Sequence, residues 1–403
     1  MENPGGVVQS RNLHPYQLAR CLLNDCFQAR SVPELLEDAD FFRRVSEADN
    51  FGLSFRGLLL YAQCGDTVAR QCGLVVSGDK FVFGVGVYAN SGRLAVHIVG
   101  PSGVEWPLAA THFARGALQR GASHVYVRHL VDGAENLLPA SGFVDTNDQN
   151  AWCDGAPYED ETHNHRSLVL SDVIHLEGDL LRVKILANSD SRNSRVKFHA
   201  AFQRFENFLR RTGLEFRLEP LVSLKQIDAA REIVDRHFRG LYETEKAIGS
   251  TALDYQLMLD HACINDPRFT STIVLLSHPG GLNLPVGVFL GERLAVDHAG
   301  LYCTIVDRDP ALPARFFQLA DVTGYSAICQ YAYAAQFGQL MRSGCRRVDL
   351  GGSETIELDH FKRRMGCRVR RSVWRVATVD QLPALDAICQ NAGHFDMFRP
   401  QGI

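Results

Sequence analysis

The chain has 403 residues, 46% of them hydrophobic and 22% charged, with a formal net charge of −4. This length is too great for one ordinary core and suits two domains, and the composition excludes a disordered chain. No apolar run reaches the roughly 20 residues of a membrane span, and the opening Met1-Glu2-Asn3-Pro4-Gly5-Gly6 lacks both a basic region and an apolar signal core, so a cytoplasmic protein is expected.

Residues 54–64, 81–88 and 93–99 are short, β-rich and separated by turn residues, which predicts successive antiparallel strands. Trp106 to Arg120 carries Leu108, Ala109, Phe113, Ala117 and Leu118 at helical spacing and stops at Gly121, ahead of a strand over His124–Arg128. The short apolar stretch Leu137–Phe143 completes this half. Ser189–Arg195 is a polar linker. It leads into a helix over Val196–Arg211, with Phe198, Phe202, Phe205, Phe208 and Leu209 on one side and Lys197, Arg204, Arg210 and Arg211 largely on the other.

The second half repeats the order. It has helices near 224–239 and 253–264, strands near 270–277, 285–291 and 299–306, a long helix over about 324–343 stopped by Gly344, and a strand over Arg346–Leu350. A mixed sheet with helices packed on its faces buries such elements economically. The expected architecture is therefore α/β (α+β), with two tandem domains over 1–180 and 181–403.

Eleven cysteines are scattered without a CxxC pair, which reads as reduced, mostly buried side chains. His163-Asn164-His165 follows the acids Glu159, Asp160 and Glu161 and reads as a solvated loop, so no metal is expected. From Met341 to Val376 there are ten Lys or Arg against four acids, a basic region on an acidic protein.

That region contains Arg346-Arg347-Val348-Asp349-Leu350-Gly351-Gly352-Ser353-Glu354, an apolar strand running into a diglycine turn. The short cationic helix Leu358-Asp359-His360-Phe361-Lys362-Arg363-Arg364-Met365-Gly366 follows. With the preceding helix from Tyr325, this resembles the C-terminal part of the Fem-type transferases and the catalytic domain of phosphatidylglycerol lysyltransferases, both of the GNAT-like superfamily. The resemblance covers about 185–377. It implies tandem GNAT-like domains, each a mixed, mostly antiparallel sheet flanked by helices, and transfer of an aminoacyl group from aminoacyl-tRNA to an amine or hydroxyl of a small molecule or peptide.

Such a donor is an activated ester, so the chemistry needs no metal, redox cofactor or covalent enzyme intermediate. It needs alignment of the reactants and stabilisation of an oxyanion. Gly351 and Gly352, with Ser353 as an extra donor, are the candidate oxyanion frame, or else an ordinary strand-to-helix turn with Ser353 as its cap. Asp349 and Glu354 are the candidate acids; Asp349 is alternatively a buried partner for a neighbouring arginine. Lys362, first through its place in the FK pair, Arg363 and Arg364 are candidates to grip donor phosphates, together with Arg195, Lys197, Arg204 and Arg211 of the earlier helix, and Phe361 is expected to pack beneath the turn. Asp297-His298 is a further acid–base pair, weakened because neighbours point to opposite faces of a strand.

An acyl-CoA-dependent N-acetyltransferase is the rival reading. Its pyrophosphate loop would be His97-Ile98-Val99-Gly100-Pro101-Ser102-Gly103, with His97, Gly100, Ser102 and Gly103 in the motif positions and acetyl-CoA as co-substrate; Pro101 removes one amide donor. A non-catalytic double domain that binds RNA or protein is the third.

Overall fold

A computed structural model describes residues 69–77, 80–90, 93–131, 133–145, 165–178, 180–184, 192–243, 255–256, 258–259, 269–352, 356–370 and 372–392. The expected strand at 54–64, most of the helix at 253–264, His163, Asn164, Ser353 and Glu354 lie outside these residues. In chain order the elements are β1 (Ala69–Ser77), β2 (Phe81–Asn90), β3 (Arg93–Ser102), α1 (Trp106–Gln119), β4 (His124–Val131) and β5 (Val144–Asp145). Then come β6 (His165–Val169), β7 (Ile174–Glu177), β8 (Leu180–Val183), α2 (Arg192–Thr212), β9 (Glu215–Pro220) and α3 (Leu224–Glu243). These are followed by β10 (Thr272–Ser277), β11 (Asn283–Ala295), β12 (His298–Val306), α4 (Ala311–Phe317) and α5 (Ile328–Arg342). The last are β13 (Arg347–Asp349), α6 (Ile356–Arg364), β14 (Arg368–Arg370), β15 (Ser372–Thr378) and α7 (Leu382–Asn391).

Two compact units result: 1–158 with 371–403, and 159–370. This differs from the expected boundary at 180/181 at both ends. Residues 165–169 form a strand of the second unit's sheet, and the C-terminal β15 returns to the first. Sheet pairing joins residues far apart in the chain, which a linear reading of composition does not register.

In the first unit the sheet order is β1-β2-β3-β4-β15-β5. Alternation in β2 sends Phe81, Phe83 and Val85 to one face, where they meet Trp106, Ala109, Ala110, Phe113 and Ala117 of α1. The helix ends where Gly121 takes φ +100, allowing Ala122 N–H to donate to Ala117 O at 3.0 Å. The α1 crossover makes β3 and β4 parallel, as it must between strands that point the same way. α7 lies beside α1, with Asp386 accepting from Arg115 and, at 3.2 Å, from Gln119.

The second unit has the order β14-β6-β13-β12-β11-β10-β9, antiparallel except between β12 and β13, which the α5 crossover makes parallel. Phe198, Phe202, Phe205 and Phe208 of α2 are buried, as the aromatic stripe predicts, against Tyr325, Ile328, Ala332 and Phe337 of the segment leading into and along α5. Phe202 stacks on Tyr331 at 4.7 Å and Phe208 meets Tyr325 at 5.6 Å, so α2 and α5 run antiparallel. α5 closes at Gly344 with φ +90 and feeds Val348 into the core. Among the described residues no helix is long and apolar enough to cross a membrane.

Candidate functional site

The parallel pairing of β12 with β13 is only three residues long: His298 with Arg347, Ala299 with Val348, and Gly300 with Asp349. Beyond it, β12 carries a bulge between Leu301 and Cys303 and continues to Val306, paired to β11. A bulge bends its strand. β13 instead commits to the other side, where Leu350 N–H donates to Arg166 O at 2.8 Å and Arg166 N–H donates to Gly351 O at 3.0 Å. The two strands part at this point, leaving a wedge at the carboxyl end of a parallel pair, the position where open α/β sheets bind ligands.

The diglycine turn forms one lip of the wedge. Gly351 has φ +69, a left-handed backbone that glycine adopts without strain. Its N–H donates to Asp349 Oδ1 at 2.6 Å. The other carboxylate oxygen, Oδ2, lies 2.8 Å from Nδ1 of His165. These side chains meet because Asp349 pairs with Ser167, two residues from His165, which puts both on one sheet face. His298, two residues before Gly300, shares that face. Asp349 is 1% exposed: burial pushes its carboxyl up, but the charge and hydrogen bond of His165, the Gly351 amide and the charge of His298 outweigh burial and hold it below the usual carboxylate range.

Lys362, on the second turn of α6, is 5% exposed and faces into the protein. Its ammonium donates to Leu350 O at 2.7 Å, to Gly351 O at 3.4 Å and to Gly352 O. An ammonium has three donors, and three carbonyls of the turn take them. This corrects the expectation that Lys362 grips donor phosphates: the helix register that buries Met365 turns Lys362 toward the strand end as well. Asp359 joins the same helix to β6, accepting from the buried Arg166 and from Arg363 at 2.7 Å. Phe361 packs on Tyr333 of α5 at 5.5 Å, beneath the turn's helix.

These bonds fix where the turn's amides point. In a trans peptide the N–H lies antiparallel to the preceding C=O. Gly351 C=O points toward β6, so Gly352 N–H points the opposite way in the order β6-β13-β12, into the wedge. Gly351 N–H, a member of the expected oxyanion frame, is bonded to Asp349.

The remaining candidates fall as follows. Arg364, Lys197 and Arg204 are exposed, on α6 and α2, two helices that touch. Arg211 is turned to Thr323 O at 2.5 Å and Asp321 at 3.4 Å. Arg195 lies in the first turn of α2. Asp297 faces Arg347 at 3.7 Å while His298 is buried, so this pair is split as expected.

In the first unit, His97 is buried within β3, not on a loop; its Nδ1 lies 3.3 Å from Arg128, whose guanidinium covers Trp374 at 3.9 Å. Gly100 and Gly103 take φ +62 and +95, and Ser102 ends β3. A Cβ on Gly103 would overlap the carbonyl of Lys80, and Glu105 N–H donates to that carbonyl at 3.0 Å. The Glu105 carboxylate, 3.3 Å from Lys80, sits at the N-terminus of α1. That carboxylate makes no bond to the first amides of α1.

Sequence reasoning missed His165 and Arg166. The acids before His163 suggested a solvated loop, yet β6 lies within the sheet and both side chains are buried. Their partners, Asp349 and Asp359, stand more than 180 residues away, and His165-Arg166-Ser167, three polar residues in a row, gave no sign of burial.

No family model and no curated protein sequence matches the chain. Solved structures do. A conserved protein of unknown function from Bacteroides thetaiotaomicron VPI-5482 matches over 87% of this chain and 99% of its own, at 14% identity and TM-score 0.56. The crystal structure of FemX matches over 80% of this chain and 91% of its own, at 10% identity and TM-score 0.51. L-PGS from Bacillus licheniformis covers 81% and 90% at 14% identity, with a TM-score of 0.46. The likeness to FemX is one of fold, and the expected mixed, mostly antiparallel sheets flanked by helices are what the chain adopts.

Proposed function

We propose that this protein is an aminoacyltransferase of the acyltransferase class. It takes an aminoacyl group from aminoacyl-tRNA and joins it to an amine or hydroxyl of a small molecule or peptide, using the wedge where β12 and β13 part. The observation that carries the reading is the Gly352 N–H directed into that wedge from a turn whose other polar groups are already bonded. The acceptor nitrogen attacks the ester carbonyl, the carbonyl oxygen takes the negative charge, and collapse forms the amide while the terminal ribose oxygen leaves with a proton. Gly352 N–H is the donor aimed at that oxygen, a contribution worth about 3 kcal/mol for a single preorganised donor. Asp349 orients the turn and exchanges no proton itself, because its two oxygens already accept from Gly351 and His165.

The fold shared with FemX supports a Fem-type reaction, and the exposed Lys197, Arg204 and Arg364 supply cations for the phosphates of an RNA end. The test is to incubate the protein with a complete set of radiolabelled aminoacyl-tRNAs and a panel of amine acceptors, following ester loss and amide formation, with acetyl-CoA in parallel. Amide product from at least one charged tRNA is expected. Turnover of acetyl-CoA alone, or binding of charged tRNA with no ester loss under any acceptor, overturns the reading.

A further inference from the structure

We infer that Lys362 is a positioning residue that acts through the Gly351–Gly352 peptide and makes no contact with the donor. The inference rests on the aminoacyl-transfer reading for its rate consequence but not for its geometry. The lysine is buried, and its three donors meet the carbonyls of Leu350, Gly351 and Gly352.

Two effects follow for the amide on the far side of the Gly351 carbonyl. First, direction: the carbonyl is held by Lys362 on α6 and by Arg166 N–H on β6, so the peptide plane cannot rotate and Gly352 N–H stays aimed at the β12 side. Second, strength: a carbonyl that accepts from a cation is polarised, and hydrogen bonds in a chain strengthen one another, so the N–H of the same peptide becomes a better donor. Gly352 is required for the approach, while Lys362 sets the angle and the electron demand.

The clamp is itself braced. Asp359, three residues before Lys362 on α6, accepts from Arg166, whose backbone exchanges two bonds with the turn. Turn, β6 and α6 thus close a ring of contacts: β6 to the turn by backbone, the turn to α6 through Lys362, and α6 to β6 through Asp359.

The experiment compares Lys362→Met, which keeps the length without donors, with Lys362→Gln, which keeps two donors facing the carbonyls and serves as the variant expected to stay folded. With glycine-selective nitrogen labelling, the Gly352 resonance should move upfield in the Met variant, since its preceding carbonyl loses a charged partner. An unmoved resonance overturns the inference whether or not the protein transfers anything. On turnover, the Met variant should lose about 100-fold in kcat, as for a lost oxyanion donor, with the Kd for tRNA and its salt dependence unchanged, and the Gln variant should recover at least about tenfold of that loss. A weakened Kd with a salt slope reduced by about one makes Lys362 a phosphate ligand and overturns the inference, as does a Gln variant no better than Met. If the wild type transfers from no charged tRNA, the aminoacyl reading falls, and the nitrogen resonance alone decides the clamp.

Discussion

Replacing Asp349 by asparagine tests the base of the site. The carboxylate accepts from Gly351 N–H at 2.6 Å and from His165 at 2.8 Å, and it is 1% exposed. Asparagine offers one oxygen. If that oxygen keeps the Gly351 amide, its NH2 is set against His165 Nδ1, which must switch to the tautomer that accepts. Hydrogen bonds to a charged group are worth about 1.5–3 kcal/mol each, and leaving one member of a buried pair costs about 3–5 kcal/mol, so a loss of about 3 kcal/mol is expected.

The pH dependence follows from the folded carboxyl lying below its ordinary value of 3.8. A carboxyl depressed on folding stabilises the protein fully above its unfolded value, and the contribution disappears as pH falls through the folded value. Urea titrations of wild type and variant should therefore give a gap that is present at neutral pH and narrows below about 4. A gap under about 1 kcal/mol at neutral pH, or one that does not narrow below about pH 4, would refute the pairing as described.

Three further outcomes are expected. Gly324→Ala forces a Cβ to within 2.8 Å of the Arg204 carbonyl at φ +92, whereas Gly213→Ala, at φ +67, meets nothing within 4 Å. Thermal melts should show the second losing about 1 kcal/mol from the left-handed backbone alone and the first distinctly more. The Cys367 thiol is pushed up to about 12 by burial, so iodoacetamide at pH 8 should leave it unmodified in the native protein and label it after unfolding, as read by peptide mass spectrometry. Arg364→Glu, an exposed change on α6, should weaken tRNA binding and reduce its salt slope by about one to two while leaving the melting temperature within about 1 °C, which a gel-shift series in salt and a melt would measure.

Local pattern was enough for most of the architecture. The 3.6-residue spacing of Phe198, Phe202, Phe205 and Phe208 fixed which face of α2 is buried, the glycines at 121 and 344 marked helix ends, and the β-rich run 81–88 between turn residues marked β2. β1 is not legible because Arg70, Gln71, Cys72 and Gly73 break its apolar pattern, and β15 because nothing in its residues states which sheet it joins. The FK segment lies on α6, as its cationic helix pattern predicts.

The roles within that turn were another matter. Residue types told where charge and bare backbone would gather, since spacing along the chain controls helix faces, turn angles and cation density. Whether Lys362 faces solvent or three carbonyls, and whether Gly351 or Gly352 presents its amide, depended on β6 arriving beside β13 from residues 165–169. Hydrogen bonds saturate: an ammonium or an N–H given to one partner is withdrawn from all others, and only the three-dimensional packing of distant segments decides which partner comes first.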